Sequence, residues 1–265
     1  MRVPGPVKAV FDQFPLKEYP EISNHSAANE RDVRLFVYNV GPDHIAMDPN
    51  GLAVQTLMKV LGKDVEVALG SPYMTKNEKL PLLVLSGGKR DGSGVYSGLD
   101  EILGFLVGEE EKLDGEMELF KVMLDKWLNE AWLATILSED YEKQCLTVYS
   151  SDRDRSQPWP ANRIITNQLL DHLGAQGRHR VVRHFNSHTT SMALHSLATK
   201  LGDAKFFSVG QLACGGNLGL LDILVYSYIW SIFKHIPNSA LASLVPLSLS
   251  EHARRVHQYV YNSSE

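Results

Sequence analysis

Leu218-Gly-Leu-Leu-Asp-Ile-Leu-Val-Tyr-Ser-Tyr-Ile-Trp-Ser-Ile-Phe233 is the most apolar stretch of the chain. Apolar residues fall on every side of a helical wheel, so the segment predicts a helix buried all round. It is too short and too interrupted for a membrane span, which needs roughly 20 apolar residues. Asp222 follows Gly219 by three positions, at the expected helix start. A carboxylate there can accept free backbone N–H groups and complements the positive end of the helix dipole. Glycine is a weaker but acceptable residue at the cap itself. Asp222 is therefore expected to serve folding rather than catalysis, and the rest of the chain is expected to pack around this helix.

The whole sequence is ample for a substantial core: 265 residues, 44% hydrophobic and 22% charged. A formal net charge of −5 disfavours a general nucleic-acid binder. Cys145 and Cys214 are the only cysteines and form no paired motif, which argues against a disulfide framework or a zinc site. The first residues have no signal-peptide core and carry acidic groups that disfavour a transit peptide. Without an evident span, any membrane role is expected to be peripheral.

Residues 1–31 read as an extended, Pro-rich arm. Pro4, Pro6, Pro15 and Pro20 prevent a long helix, while Phe11, Phe14, Leu16 and Tyr19 are too apolar for a free tail. The arm lies either on its own body or in a partner's groove.

Residues 32–108 read as a small α/β unit. Arg34 to Val40 predicts a strand, Leu52 to Leu61 a helix ending before Gly62, and Asp64 to Leu69 a second strand, together a βαβ unit. Lys79 to Leu85 is a third strand entered through Pro81. The Gly87 to Gly94 turn leads to a short fourth strand at Val95-Tyr96, and Leu99 to Leu106 lines a further helix. That order is the thioredoxin-like topology, in which the proline before the third strand is usually cis, so a cis bond is expected at Leu80–Pro81.

Residues 109–265 read as all-helical. Apolar spacings predict helices over Glu109 to Tyr141, Asn162 to Leu173 opened by Pro160, Thr190 to Leu201, the core helix, and Ser250 to Tyr261 capped by Ser248 or Ser250. A thioredoxin-like domain followed by an all-helical domain resembles the glutathione transferases over about residues 33–261, an α+β architecture. The core-helix start with Asp222 resembles the same family's second domain.

In that family a hydroxyl or thiol near the end of the first strand activates the glutathione thiolate. A carboxylate-or-amide and serine pair, opening the helix after the fourth strand, holds the glutamyl end. Here those two positions are Gly98 and Leu99, so both polar groups are missing. Tyr38 is the one candidate thiolate partner, and packing is the stronger reading of it. No Cys-x-x-Cys lies near the first strand. His179, His184 and His188 are surrounded by arginines that would repel a metal. Ser86 to Gly94 lacks the spacing of a phosphate loop.

Three segments narrow the resemblance: Gly51-Leu-Ala-Val-Gln-Thr-Leu57, Ser71-Pro-Tyr-Met-Thr-Lys-Asn-Glu-Lys-Leu-Pro81 and Gln157-Pro-Trp-Pro-Ala-Asn-Arg-Ile164. Together with Ala253-Arg-Arg-Val-His-Gln-Tyr259 they are similar to the metaxins, the catalytically silent branch of the fold. The second metaxin type and its fungal counterpart, the smaller metaxin-like subunit of the mitochondrial sorting and assembly machinery, fit best. The resemblance implies a non-enzymatic, cofactor-free peripheral subunit on the cytosolic face of the mitochondrial outer membrane. Its implied partners are an outer-membrane β-barrel assembly factor, a second metaxin-like subunit and the C-terminal β-signal of β-barrel precursors, with no nucleic acid. The competing reading is a divergent cytosolic glutathione transferase. Phe11, Phe14, Arg178, Arg180 and Arg183 are the candidate partner-binding residues. Pro81 and Asp222 are the candidate structural ones.

Overall fold

A computed structural model describes residues 33–74, 79–85, 94–107, 115–151, 161–176, 186–207 and 218–262. The architecture is α+β, a small mixed sheet followed by a mostly helical remainder.

Strand β1, Val33–Val37, has Leu35 and Val37 fully buried, with less buried residues between them, the two-residue period of a pleated strand. Helix α1, Pro49–Val60, connects it to β2, Glu66–Leu69, which runs parallel to β1 with Arg34 opposite Glu66. Strand β3, Leu82–Leu85, lies antiparallel on the other side of β1, and β4, Val95–Ser97, is antiparallel to β3. The sheet order is therefore β2-β1-β3-β4. The Leu80–Pro81 bond leading into β3 is cis. Gly62, just past α1, has φ +65°, a left-handed conformation that glycine adopts without a Cβ penalty and that lets the chain turn back toward β2. Helix α2, Leu99–Val107, completes the α/β part.

The helical part begins with α3, Gly115–Met123, which passes through a π-helical turn, Leu124–Leu128, into α4, Asn129–Ile136. It continues with α5, Glu142–Tyr149, then α6, Ala161–Gln176, and α7, Ser187–Leu201. The last helices are α8, Leu220–His235, the one-turn α9, Ala240–Ser243, and α10, Leu247–Tyr261. Helix α8 is the hub. It packs against α10, against α1 of the sheet-bearing part, and against α3, α4 and α9. Ile223, Val225, Tyr226, Ile229 and Ile232 are fully buried on several of its faces. Burying one such side chain is worth about 1.5–3 kcal/mol, so this helix ties both parts of the molecule into one core.

Three sequence expectations need correction. The single helix expected over 109–141 is broken: α4 ends at Ile136, and a 3-10 turn at Glu139–Tyr141 leads into the separate α5. Ser138 adopts an extended backbone there and closes the preceding turn with its hydroxyl on the Thr135 carbonyl. The last helix starts at Leu247, not Ser250. Pro246 stands at its cap, and Ser248 and Ser250 lie inside it, so neither caps. Proline suits a helix entrance because it brings no N–H needing a partner. Helix α7 starts at Ser187 because Asn186 caps it, accepting from the N–H groups of His188 and Thr189.

Candidate functional site

A cleft of about 320 Å³ opens between the sheet-bearing part and the helical part. Its floor forms where β1 ends. After Val37 the chain leaves the sheet through Tyr38 and Asn39, both nearly buried. The Asn39 side chain crosses to the helical part, where Nδ2 donates to the carbonyls of Thr147, at 2.6 Å, and Ser150, at 3.1 Å. Its Oδ1 accepts from Val40 N–H. Tyr38 packs edge-on against Tyr149, with ring centroids 5.0 Å apart, and the Tyr149 hydroxyl accepts from Trp132 Nε1 at 2.7 Å.

Asp48 caps α1 and lies on the cleft wall. Its Oδ2 accepts from Gly51 N–H at 2.8 Å, and the following Pro49 has no N–H to leave unpaired. Residue 51 is glycine for a steric reason: a Cβ there would stand 2.7 Å from Asp48 Oδ1 and 2.9 Å from Val37 Cγ1. The Asp48 side chain is buried, and Oδ1 has no hydrogen-bond partner. Burial pushes its pKa up to about 6, against the opposing pull of the backbone N–H groups of Gly51, Asp48, Tyr38 and Asn50.

More carboxylates converge from other elements. Asp100 sits in the first turn of α2, and Asp125 in the π-helical turn. The Asp125 carboxyl is pushed up by burial and then by Asp100, with Lys121 opposing. Lys121 Nζ pairs with Asp100 Oδ1 at 2.5 Å. Tyr228, on α8, sits amid all of them. Burial raises its phenol pKa, and Asp125, Asp48 and Asp100 raise it further. Its hydroxyl reaches Asn50 Oδ1 at 3.4 Å. Lys79, Lys126 and Glu130 complete the charged lining.

Gly98 and Leu99 both line this cleft. Gly98 has φ +83° and joins β4 to α2, and its N–H donates to the Pro81 carbonyl at 2.8 Å. Leu99 is the first residue of α2. The two positions that would hold the glutamyl end of glutathione thus offer no polar side chain. The nearby polar groups of Ser97 are already engaged: its N–H donates to Glu101 Oε2 and its hydroxyl to the Lys79 carbonyl.

Asp222 is fully buried and accepts from three directions. Phe207 N–H donates to Oδ1 at 2.8 Å, Gly219 N–H to Oδ2 at 2.8 Å, and His252 Nε2 lies 2.7 Å from Oδ1. It does not line the cleft. His188 is exposed at the start of α7. His179 and His184, Cys214, and the candidate partner residues Phe11, Phe14, Arg178, Arg180 and Arg183 lie outside the described residues. Cys145 is buried, and burial pushes its thiol up to about 12, so it is no nucleophile at neutral pH. Among the described residues no group of side chains could hold a metal ion, and no helix is long and apolar enough to cross a membrane.

Asn39 and Asp48 were not singled out from the sequence. Asp48-Pro49 carries a cap signature, an N-cap carboxylate followed by proline at N1, which would have moved the start of α1 forward. Asn39 leaves no comparable local signal, because its partners lie more than a hundred residues away.

The geometry is that of the glutathione-transferase fold. A glutathione S-transferase from Methylobacterium radiotolerans, solved with glutathione sulfonate, superposes with a TM-score of 0.51 at 17% identity, covering 87% of this chain and 92% of that one. Glutathione transferase GSTFuA3 from Phanerochaete chrysosporium gives 0.55 at 11% identity, covering 89% of this chain and 99% of that one. At such identities the likeness speaks for the fold alone. Residues 1–68 match the family model described as SAM35, subunit of SAM complex. No curated protein sequence matches the chain. The match to the SAM35 model spans 68 of the chain's 265 residues, so it is a likeness over the N-terminal part alone.

Proposed function

We propose that this chain is a non-catalytic, peripheral subunit of the sorting and assembly machinery of the mitochondrial outer membrane, held on the cytosolic face. There it helps recognise the C-terminal β-signal of β-barrel precursors. It acts beside an outer-membrane β-barrel assembly factor and a second metaxin-like subunit, and together they insert the precursor. The observation that carries the reading is the match of residues 1–68 to the SAM35 family, on a chain that has the transferase fold over 89% of its length.

The cleft supports the absence of transferase chemistry. Gly98 and Leu99 give the glutamyl end of glutathione no polar side chain to bond. Tyr38 is 5% exposed and packed against Tyr149, so it is poorly placed to meet an incoming thiolate. An anionic tripeptide would also meet Asp48, Asp100 and Asp125. The competing reading, a divergent cytosolic glutathione transferase, draws on the fold likeness alone. The domain division follows the same reading: an arm over 1–31, a thioredoxin-like domain over 32–108 and a helical domain over 109–265.

The test is depletion of the protein from its own cells. Newly made β-barrel precursors are expected to reach the outer membrane and remain unassembled, while matrix import continues. Normal barrel assembly in depleted mitochondria contradicts the proposal. Glutathione binding in calorimetry at typical transferase affinity favours the competing enzyme.

A further inference from the structure

Tyr226 and Trp230 on α8 and His257 and Tyr261 on α10 form a cluster of rings, none of which lines the cleft. The half-buried His257 imidazole stacks on two of its neighbours. Its centroid is 3.8 Å from that of Trp230, with the planes 12° apart, and 5.2 Å from that of Tyr261. The Trp230 indole N–H is buried without a hydrogen-bond partner, so packing alone holds that ring. Tyr261 carries the cluster on to α1: its hydroxyl meets Thr56 Oγ1 at 3.0 Å, and Lys59 Nζ lies 4.6 Å from its ring centroid. The last turn of α10 is thereby tied to both α8 and the sheet-bearing part through a stack centred on a histidine.

That histidine is held by one hydrogen bond, between the Tyr226 hydroxyl and Nδ1 at 2.9 Å. Tyr226 is fully buried, burial keeps its phenol protonated, and its hydroxyl has no second partner among the described residues. A neutral imidazole accepts the phenol hydrogen on Nδ1 and keeps its own on Nε2. An imidazolium carries a hydrogen on both nitrogens, so the hydroxyl would have to turn its own away with nothing to receive it. The surrounding charges oppose the proton as well. Lys234 on α8 and Lys59 on α1 repel it, and Arg254, one turn earlier on α10, has the same sign. Asp43, in the loop after β1, attracts it but is already paired with Lys234 at 2.9 Å. The faces of Trp230 and Tyr261 offset part of this by cation–π attraction. The balance, burial first and then Lys234, holds the His257 imidazole below its ordinary value of 6.5.

We infer that His257 is an acid-released latch: its neutral ring fastens the last turn of α10 to α8 and α1, and a proton on it lets that turn open. In the opened turn the imidazole meets water and regains its ordinary value, so as pH falls the open form takes the proton first. Opening is therefore constant above about pH 6.5 and grows below it, by as much as about tenfold per pH unit, the linkage of one proton.

The test is hydrogen exchange of the full chain between about pH 7.5 and 5, read by mass spectrometry and corrected for the intrinsic pH dependence of exchange. Opening of the last turn of α10 is expected to rise as the pH drops, while the centre of α8 stays protected. His257→Gln should abolish the rise, whatever its level of opening at pH 7.5. Lys59→Gln removes one repelling charge, so its rise should be smaller than the parent's, and Asp43→Asn should make it larger. Lys59 is exposed, so K59Q decides the matter even if H257Q folds poorly. Equal opening at both pH values, a rise that survives in H257Q, or a rise in K59Q equal to the parent's overturns the inference. So does a rise shared by the centre of α8, which marks acid unfolding of the whole core.

Discussion

His252 Nε2 stands 2.7 Å from Asp222 Oδ1, both side chains fully buried, across thirty residues of sequence. Because a carboxylate only accepts, Nε2 carries the hydrogen, and Nδ1 is left without a partner. The same carboxylate holds the N–H groups of Phe207 and Gly219. One side chain thereby fixes the entry to α8, the loop before it and the face of α10, with Phe207 packed 5.0 Å from the His252 ring.

Asp222→Ala leaves all three donors unsatisfied in a dry site. The expected loss is about 3 kcal/mol, the scale for removing one partner of a buried polar pair. For a chain of this size it should lower the melting temperature by roughly 6–12 °C. A thermal melt checks it. A melting temperature within a degree of the parent would show that the network does not hold α8.

Asn39→Ala cuts the polar tie between the end of β1 and the end of α5, freeing the carbonyls of Thr147 and Ser150. A cost of about 1–3 kcal/mol is expected, read as a lower urea midpoint with unchanged slope. Loosening the two parts relative to each other would instead show as a second, earlier transition.

A half-buried histidine and a buried aspartate impose opposite pH dependences. His235 is lowered to about 4, first by burial and then by Lys234. Its unfolded form takes up a proton below about 6.5 and its folded form does not, so its contribution falls as pH drops from about 6.5 toward 4. Asp48 is raised to about 6 by burial. Its contribution is fully present below the unfolded value of 3.8 and is lost as pH rises through about 6. His235→Gln should therefore flatten the acid side of the stability curve, and Asp48→Asn should raise stability at pH 7 relative to pH 4. Urea titrations at pH 4, 5, 6 and 7 distinguish the two, and parallel curves for parent and D48N would contradict the burial of a charged Asp48.

These tests separate what the sequence carried from what it hid. The sheet order, the hub helix and the Gly219–Asp222 cap were legible because periodicity, turn residues and caps are local signals. The partners of Asp222 on α10 and at Phe207 were not, since nothing near Asp222 names His252. The π-helical turn at Leu124–Leu128 was also hidden, because one extra residue per turn leaves the apolar spacing nearly intact. The cleft followed the same rule. Gly98 and Leu99 stood out as missing ligands, whereas Asp48, Asp100 and Asp125 meet only after three separate elements fold together.

The N-terminal arm falls within the segment that matches the SAM35 family. Deleting residues 1–20 should weaken association with the machinery more than neutralising Arg178, Arg180 and Arg183. Burying Phe11 and Phe14 would supply about 1.5–3 kcal/mol each, and salt does not screen that contribution, whereas exposed arginines act through screened charge. Recovery of the complex after each change, at low and high salt, decides it. Normal binding by the deletion and loss by the arginine variant would place the contact on the basic segment.

The most direct measurement is affinity purification of the full-length, tagged chain from gently solubilised mitochondrial outer membranes, with every co-purifying protein identified. The account predicts stoichiometric recovery of an outer-membrane β-barrel protein and a second transferase-fold subunit, and no retention of the chain on glutathione resin. Recovery of the chain alone from the cytosol, bound to glutathione resin and active on an electrophilic thiol acceptor, would contradict it.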